Sequence, residues 1–159
     1  MTVSHFPVYE DNESLNEKLS DFITLCIDRG LTQAKALIKS DKNTKLLCGI
    51  FANSPYLTSL CFKMPELVIQ SFETDATEIL TQIQNELAET TEYESQQSLK
   101  QILREAKLRI SLLCALADIT ETWTLQEVTK CLSDFAEYSL NKAVDHLFHE
   151  ARLSGDISF

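Results

Sequence analysis

From Glu13 onward, apolar residues recur at steps of three and four: Leu15, Leu19, Phe22, Ile23, Cys26 and Ile27. That spacing places side chains on one face of an α-helix. Arg29-Gly30 ends this helix, because glycine enters the left-handed conformation at little steric cost. A short helix follows with Ala34, Leu37 and Ile38 as its inner face. Asp41 or Thr44 starts another, which carries Leu46, Leu47, Ile50 and Phe51. Gly49 interrupts that helix at a propensity cost of about 1 kcal/mol against Ala, and is expected to permit a close helix contact.

Ser54-Pro55 reads as a helix start: the serine hydroxyl accepts an unpaired amide hydrogen, and proline favours the first turn. Met64-Pro65 repeats the move, since the residue before proline is pushed out of the helical region. The run Phe51 to Val68 is therefore a helix end, a short helix, a corner and another start, with Phe51, Leu57, Leu60, Cys61 and Leu67 turned inward. Asp75, with Glu78 three residues on, has the spacing of a capping box for a helix bearing Ile79, Leu80, Ile83 and Leu87. That helix fades into a polar loop, the hinge candidate at 89–95.

Two long helices come next. The first, roughly Ser95–Ala117, has Leu99, Ile102, Leu103, Ala106, Ile110, Leu113 and Leu116 as its stripe. It is apolar nearly all round over its second half, as a helix enclosed on most sides is. The second opens with Thr124 and Glu127 in a capping box and continues through Leu125, Val128, Leu132, Phe135, Ala143 and Leu147 to a stop near Leu153, before Gly155. Leu140, Val144 and Phe148 cannot share a core with Phe135 and Leu147, so they are expected on the outside. No repeat and no strand pattern occurs. The fold class is all-α, an irregular multi-helix bundle with several short N-terminal helices and two long C-terminal helices. Residues 1–12 are expected to be a flexible arm, 13–153 a single helical domain, and 154–159 the start of a linker.

Composition agrees. Only 3 of 159 residues are Gly and 3 are Pro, too few for the many turns of an all-β domain. Net charge is −10, and no basic residue falls between Lys63 and Lys100. A chain that binds phosphates needs clustered Lys and Arg, so nucleic acid and anionic membrane are excluded as expected partners. The acidic interval Glu66–Glu94 reads as a solvated face, with a docking surface for a basic partner as the sharper alternative. The cysteines, Cys26, Cys48, Cys61, Cys114 and Cys131, are odd in number, irregularly spaced and set among apolar neighbours. They read as buried thiols rather than disulfides or a zinc site. With no secretory leader pattern in residues 1–14, they imply a cytoplasmic location.

Catalytic patterns are scarce. GxSxG, GxGxxG and GxxxxGK[ST] do not occur. His146 and His149 share a helix face beside Asp145 and Glu150, but without a third ligand they read as helix-surface histidines; His5 lies in the arm. Lys100, Arg104, Lys107 and Arg109 form the one basic cluster, a solvated face or a surface meeting acidic groups elsewhere. No catalytic, cofactor-binding or metal residue is assigned.

Two stretches carry a family resemblance. LREAKLRISLLCALADITETWTLQEVTKCLSDFAEYSLNKAVDHLF, Leu103–Phe148, resembles the helical N-terminal region of glutamine synthetase adenylyltransferases. Members have a basic helix running into "ALADI" or "GLADL", followed by an "LSDFAD"-type helix. Upstream, LLCGIFANSPYLTSLCFKMPELV, Leu46–Val68, resembles the family's "FGNSPYL…PELL" pattern in the same order. Residues 1–40 match only in general helical character. The resemblance implies a bifunctional enzyme that attaches AMP from ATP to a tyrosine of glutamine synthetase and removes it by phosphorolysis. Control by PII signal protein and glutamine, and a need for ATP and Mg, are implied with it. The removing activity belongs to a nucleotidyltransferase domain that follows such a helical region and carries GxGKLGxxELNxSSDxDL, with two metal-binding aspartates. Gly155-Asp156-Ile157-Ser158 echoes that motif only faintly, with one acid. The expectation is a non-catalytic helical fragment with a scaffolding or docking role. The alternative is a stand-alone all-α interaction module with an acidic surface.

Overall fold

A computed structural model describes residues 6–89 and 95–155. His5, the centre of the hinge candidate at 90–94 and the residues 156–159 lie outside the described part. Eight α-helices and no strand are found among the described residues: α1 (Glu13–Asp28), α2 (Ala34–Ile38), α3 (Asp41–Asn53), α4 (Pro55–Lys63), α5 (Pro65–Gln70), α6 (Ala76–Glu89), α7 (Gln96–Ile119) and α8 (Leu125–Leu153). The all-α architecture read from the periodicity is the observed one.

Local chemistry sets the boundaries. Asn12 caps α1 by accepting from the Leu15 amide, and Gly30 closes it at φ 81°. Ser40 caps α3, so Asp41 rather than Thr44 is its first residue. Asn43 Nδ2 and Thr44 Oγ1 instead donate back to the carbonyls of Leu37 and Ile38, at 2.9 and 2.6 Å, and close the corner between α2 and α3. Ser54 caps α4 with Pro55 in its first turn. Met64, at φ −131°, ends α4 and introduces α5. Asp75 caps α6 by accepting from the Thr77 amide at 2.8 Å. Ser95 and Ser98 form a reciprocal capping box on α7, and Thr124 and Glu127 one on α8.

One core runs through the short helices and into α6 and α7. At its N-terminal end Phe22, Phe51 and Phe62 meet in pairs, with ring centroids 5.4–5.6 Å apart; Phe22 meets both others edge-to-face, as aromatic quadrupoles favour, and Phe51 and Phe62 are tilted by 47°. Phe51, Leu60, Cys61 and Leu67 are buried and Leu57 half-buried, as the corner reading requires.

Two expectations change. Residues 6–12 contain no helix, but they do not stand free of the body. Phe6 and Tyr9 pack on the core, and Asn53 Nδ2 donates to the Val8 carbonyl at 3.0 Å. Gly49 is what this segment rests on: a Cβ there would come within 2.9 Å of the Pro7 carbonyl oxygen and 3.2 Å of its Cδ. The close approach foreseen for Gly49 is therefore to an extended segment, not to a helix. Second, the buried face of α8 is Cys131 and His146, with Phe135 and Tyr138 half-buried between them. Leu125, Leu132 and Leu147, expected inside, are exposed. The helix is rotated because Tyr138 reaches in to bond a carbonyl, which a leucine cannot do.

Gly49→Ala gains about 1 kcal/mol of helix propensity but collides with a backbone oxygen that has little room to move. The net loss expected is about 1–2 kcal/mol in urea unfolding. In a chain lacking residues 1–9 the same change should stabilise; stabilisation in both would mean that Pro7 does not rest on Gly49. Glu121, in the turn after α7, holds φ 54°, a conformation unfavourable for a residue with a Cβ. Glu121→Gly should raise stability by about 0.5–1 kcal/mol, read as an upward shift in Tm.

Candidate docking surface

The rotation of α8 is fixed by bonds at two levels of the bundle. Trp123, buried in the turn before α8, donates from Nε1 to Thr77 Oγ1 at 3.2 Å and so ties the turn to the start of α6. Tyr138, two turns past Cys131, donates to the Leu87 carbonyl at 3.0 Å near the other end of α6. Between α6 and α7, Arg109 pairs with both Glu86 oxygens, and these hydrogen bonds hold the Glu86 carboxyl below its ordinary range.

With the inner face so fixed, a second apolar face lies outside. Leu140 is 64% exposed, Val144 39%, Leu147 52% and Phe148 54%. These residues follow steps of three and four, so they form one stripe. Leu132 is exposed further up the helix. Toward the C-terminus the two faces exchange character. Inside, the sequence passes from Cys131 and Phe135 to Ser139, Lys142 and His146; outside, it becomes apolar from Leu140 on. Leu140, Val144 and Phe148 stand where the sequence reading put them, joined by Leu147.

The remaining candidates divide. His146 is only 9% exposed, with Nε2 3.4 Å from Glu150 Oε1 one turn away. It is not the helix-surface residue expected; His149 is exposed, so the two histidines do not act as a pair. Within the basic cluster, Arg109 meets Glu86 and Lys100 donates to Gln96 Oε1, while Arg104 and Lys107 are exposed. Two acids of the interval after Lys63 are likewise paired inside this chain, Glu66 with Arg29 and Glu86 with Arg109. Trp123 and Tyr138 were missed in the sequence. The available signal for the first was a lone tryptophan in a short connection between two long helices.

ATP–magnesium does not fit the described residues. No group of three His, Cys, Asp or Glu able to hold a metal is found among them. Gly30 and Gly155 follow helix ends, and Gly49 is covered by Pro7, so no glycine loop is available to hold phosphates. No helix among the described residues is long and apolar enough to cross a membrane.

Comparison with known proteins agrees with the sequence motifs. The family model for glutamate-ammonia ligase adenylyltransferase matches residues 44–156. Bifunctional glutamine synthetase adenylyltransferase/adenylyl-removing enzymes are among the curated relatives. That of Agrobacterium fabrum is 44% identical over 55 residues, 35% of this chain and 6% of the relative. The protein of Bradyrhizobium diazoefficiens is 28% identical over 124 residues, 77% of this chain and 12% of the relative. The one from Mesorhizobium japonicum is 28% identical over 153 residues, 92% of this chain and 15% of the relative. The chain thus spans a small part, 6–15%, of the length of these relatives. No solved structure matches significantly. Because the match covers the corner at Ser54-Pro55, the enclosed α7 and the whole of α8, the chain belongs to the glutamate-ammonia ligase adenylyltransferase family.

Proposed function

We propose that this chain is the helical scaffold of a bifunctional glutamine synthetase adenylyltransferase/adenylyl-removing enzyme, without catalytic residues of its own. In this reading the outer face of α8 seats a nucleotidyltransferase domain of the same polypeptide. ATP and magnesium belong to that domain, glutamine synthetase is the protein modified, PII signal protein is the regulator, and the setting is the cytoplasm. The observation that carries the reading is the exposed stripe of Leu140, Val144, Leu147 and Phe148 on the last helix. Contiguous apolar surface on a folded domain marks a contact site. The occupant is assigned within the polypeptide because the relatives that match this chain are many times longer than it is.

The test compares this chain with a polypeptide that also contains the nucleotidyltransferase domain. Only the longer protein should release AMP from adenylylated glutamine synthetase; release by the 159-residue chain would overturn the proposal. Val144→Asp and Phe148→Asp lie on the outer face. Each should change the stability of this chain by less than about 0.5 kcal/mol. In the longer protein each should open the contact, read as faster proteolysis between the two parts and about tenfold slower AMP release.

A further inference from the structure

α6 and α8 both pack against α7. Two side-chain bonds join the outer pair, Trp123 to Thr77 and Tyr138 to the Leu87 carbonyl. Between these bonds lies a cavity of about 260 Å³. Along α6 its wall runs from Leu80, one turn past Thr77, to Leu87; along α8 it runs from Cys131 to Tyr138, and Ile110 of α7 closes the third side. Leu87, Ile110 and Cys131 are buried, and Leu80 and Phe135 are half-buried. The space follows from the rotation of α8. Leu132 is turned outward, 44% exposed, and Cys131 inward, so the smaller of two adjacent side chains faces the cavity. Cys131, like the other four cysteines, is a buried free thiol.

Protein interiors are close-packed, and atoms that line an apolar void lose the contacts they would otherwise make. A guest of matching shape restores them. Size bounds that guest: an apolar cavity of about 150 Å³ takes benzene, so this one takes a molecule of one or two rings. The Phe135 and Tyr138 rings favour an aromatic guest, through offset or edge-to-face contact. The charged lining residue is Asp134, exposed at the mouth and held in place by Lys130 at 2.9 Å. Its carboxylate accepts hydrogen bonds and repels anions. A neutral molecule with a hydrogen-bond donor suits that mouth; a carboxylate of the same size does not.

We propose that the cavity between α6, α7 and α8 is a binding site for a small neutral aromatic molecule of one or two rings that carries a hydrogen-bond donor. Leu80, Leu87, Ile110 and Phe135 hold the ring, and the donor is directed to the Asp134 carboxylate. Phenol and indole have this chemistry. The bound molecule touches α8 at Tyr138, two residues before the outer apolar stripe begins at Leu140. The site is formed by this chain's own helices, so it stands whether or not another domain covers that stripe.

Phenol and indole are titrated into the full chain and followed by NMR. The expected result is saturable one-to-one binding, with nuclear Overhauser contacts from the ring protons to the methyl groups of Leu80, Leu87 and Ile110. Tm should rise with probe concentration, since the probe binds only the folded chain. Benzoate should bind about tenfold more weakly than phenol or worse, and Asp134→Asn should narrow that gap. Cys131→Leu and Leu80→Phe fill the space from opposite walls, and each should weaken both probes about tenfold or more. No saturable binding of either probe up to about 10 mM, contacts to methyl groups elsewhere, or unchanged affinity in a folded filled variant would overturn the proposal. Equal affinity for phenol and benzoate would overturn the role of Asp134. The wild-type titration decides even where a variant misfolds, and none of these outcomes depends on AMP release.

Discussion

The second half of α7 turns only a narrow side, Ser111, Ala115 and Asp118, toward water. Leu112 and Leu113 are neighbours in sequence, about 100° apart around the helix, and both are fully buried. Ile110, Cys114, Leu116 and Ala117 are buried with them. A helix in this state must be enclosed, and α4, α6 and α8 pack against it. This constraint orders much of the bundle. The sharp corners at Ser54 and Met64 bring α4 and α5 round within a few residues. The bonds from Trp123 and Tyr138 bring α8 back along the other side. The Ser54 corner is capped by its own hydroxyl, and the Met64 corner is followed by Pro65, which has no amide hydrogen to satisfy.

The parts of this arrangement that were legible in the sequence are those set by local rules. Serine before proline, the Thr124–Glu127 box and the all-round apolar run of α7 each act within a few residues, and each element stands where its signal put it. What was not legible depended on partners far away in sequence. Gly49 is needed for Pro7, 42 residues earlier, and helical periodicity carries no trace of an extended segment lying across a helix. The inner stripe of α8 was misread for a related reason. Leu125, Leu132 and Leu147 outrank Cys131, Tyr138 and His146 in hydrophobicity, but Tyr138 has a part-buried carbonyl to bond, and leucine cannot form that bond. Leu140, Val144 and Phe148 were legible because they conflicted with Phe135, and a helix cannot turn every apolar residue to one side.

The same distinction applies to chemistry. Spacing singled out His146 and His149, which the helix sends to different environments, one buried and one exposed. It gave no sign of the bonds from Trp123 to Thr77 and from Tyr138 to the Leu87 carbonyl, because each joins residues far apart in the chain and forms only after α8 has folded back. Periodicity reports on the faces of one helix, whereas a bond between helices, like a catalytic site, is a property of two.

The exchange of faces along α8 bears on why a scaffold would take this form. A helix that belonged wholly to this bundle would keep its apolar stripe on the inside for all 29 residues. Here the inner stripe gives way past Tyr138 to Lys142 and His146, while the outer surface acquires Leu140, Val144, Leu147 and Phe148. Fully burying each such side chain is worth roughly 1.5–3 kcal/mol. The first half of the helix collects that stabilisation from α6 and α7, and the second half can collect it only from something lying against its outer side. A single rigid helix shared in this way transmits position, because its rotation is fixed over its first half by the bonds from Trp123 and Tyr138 and displayed over its second half. A bundle without catalytic groups can therefore still set where a neighbouring domain stands, and in phosphoryl-transfer chemistry placement accounts for much of the rate.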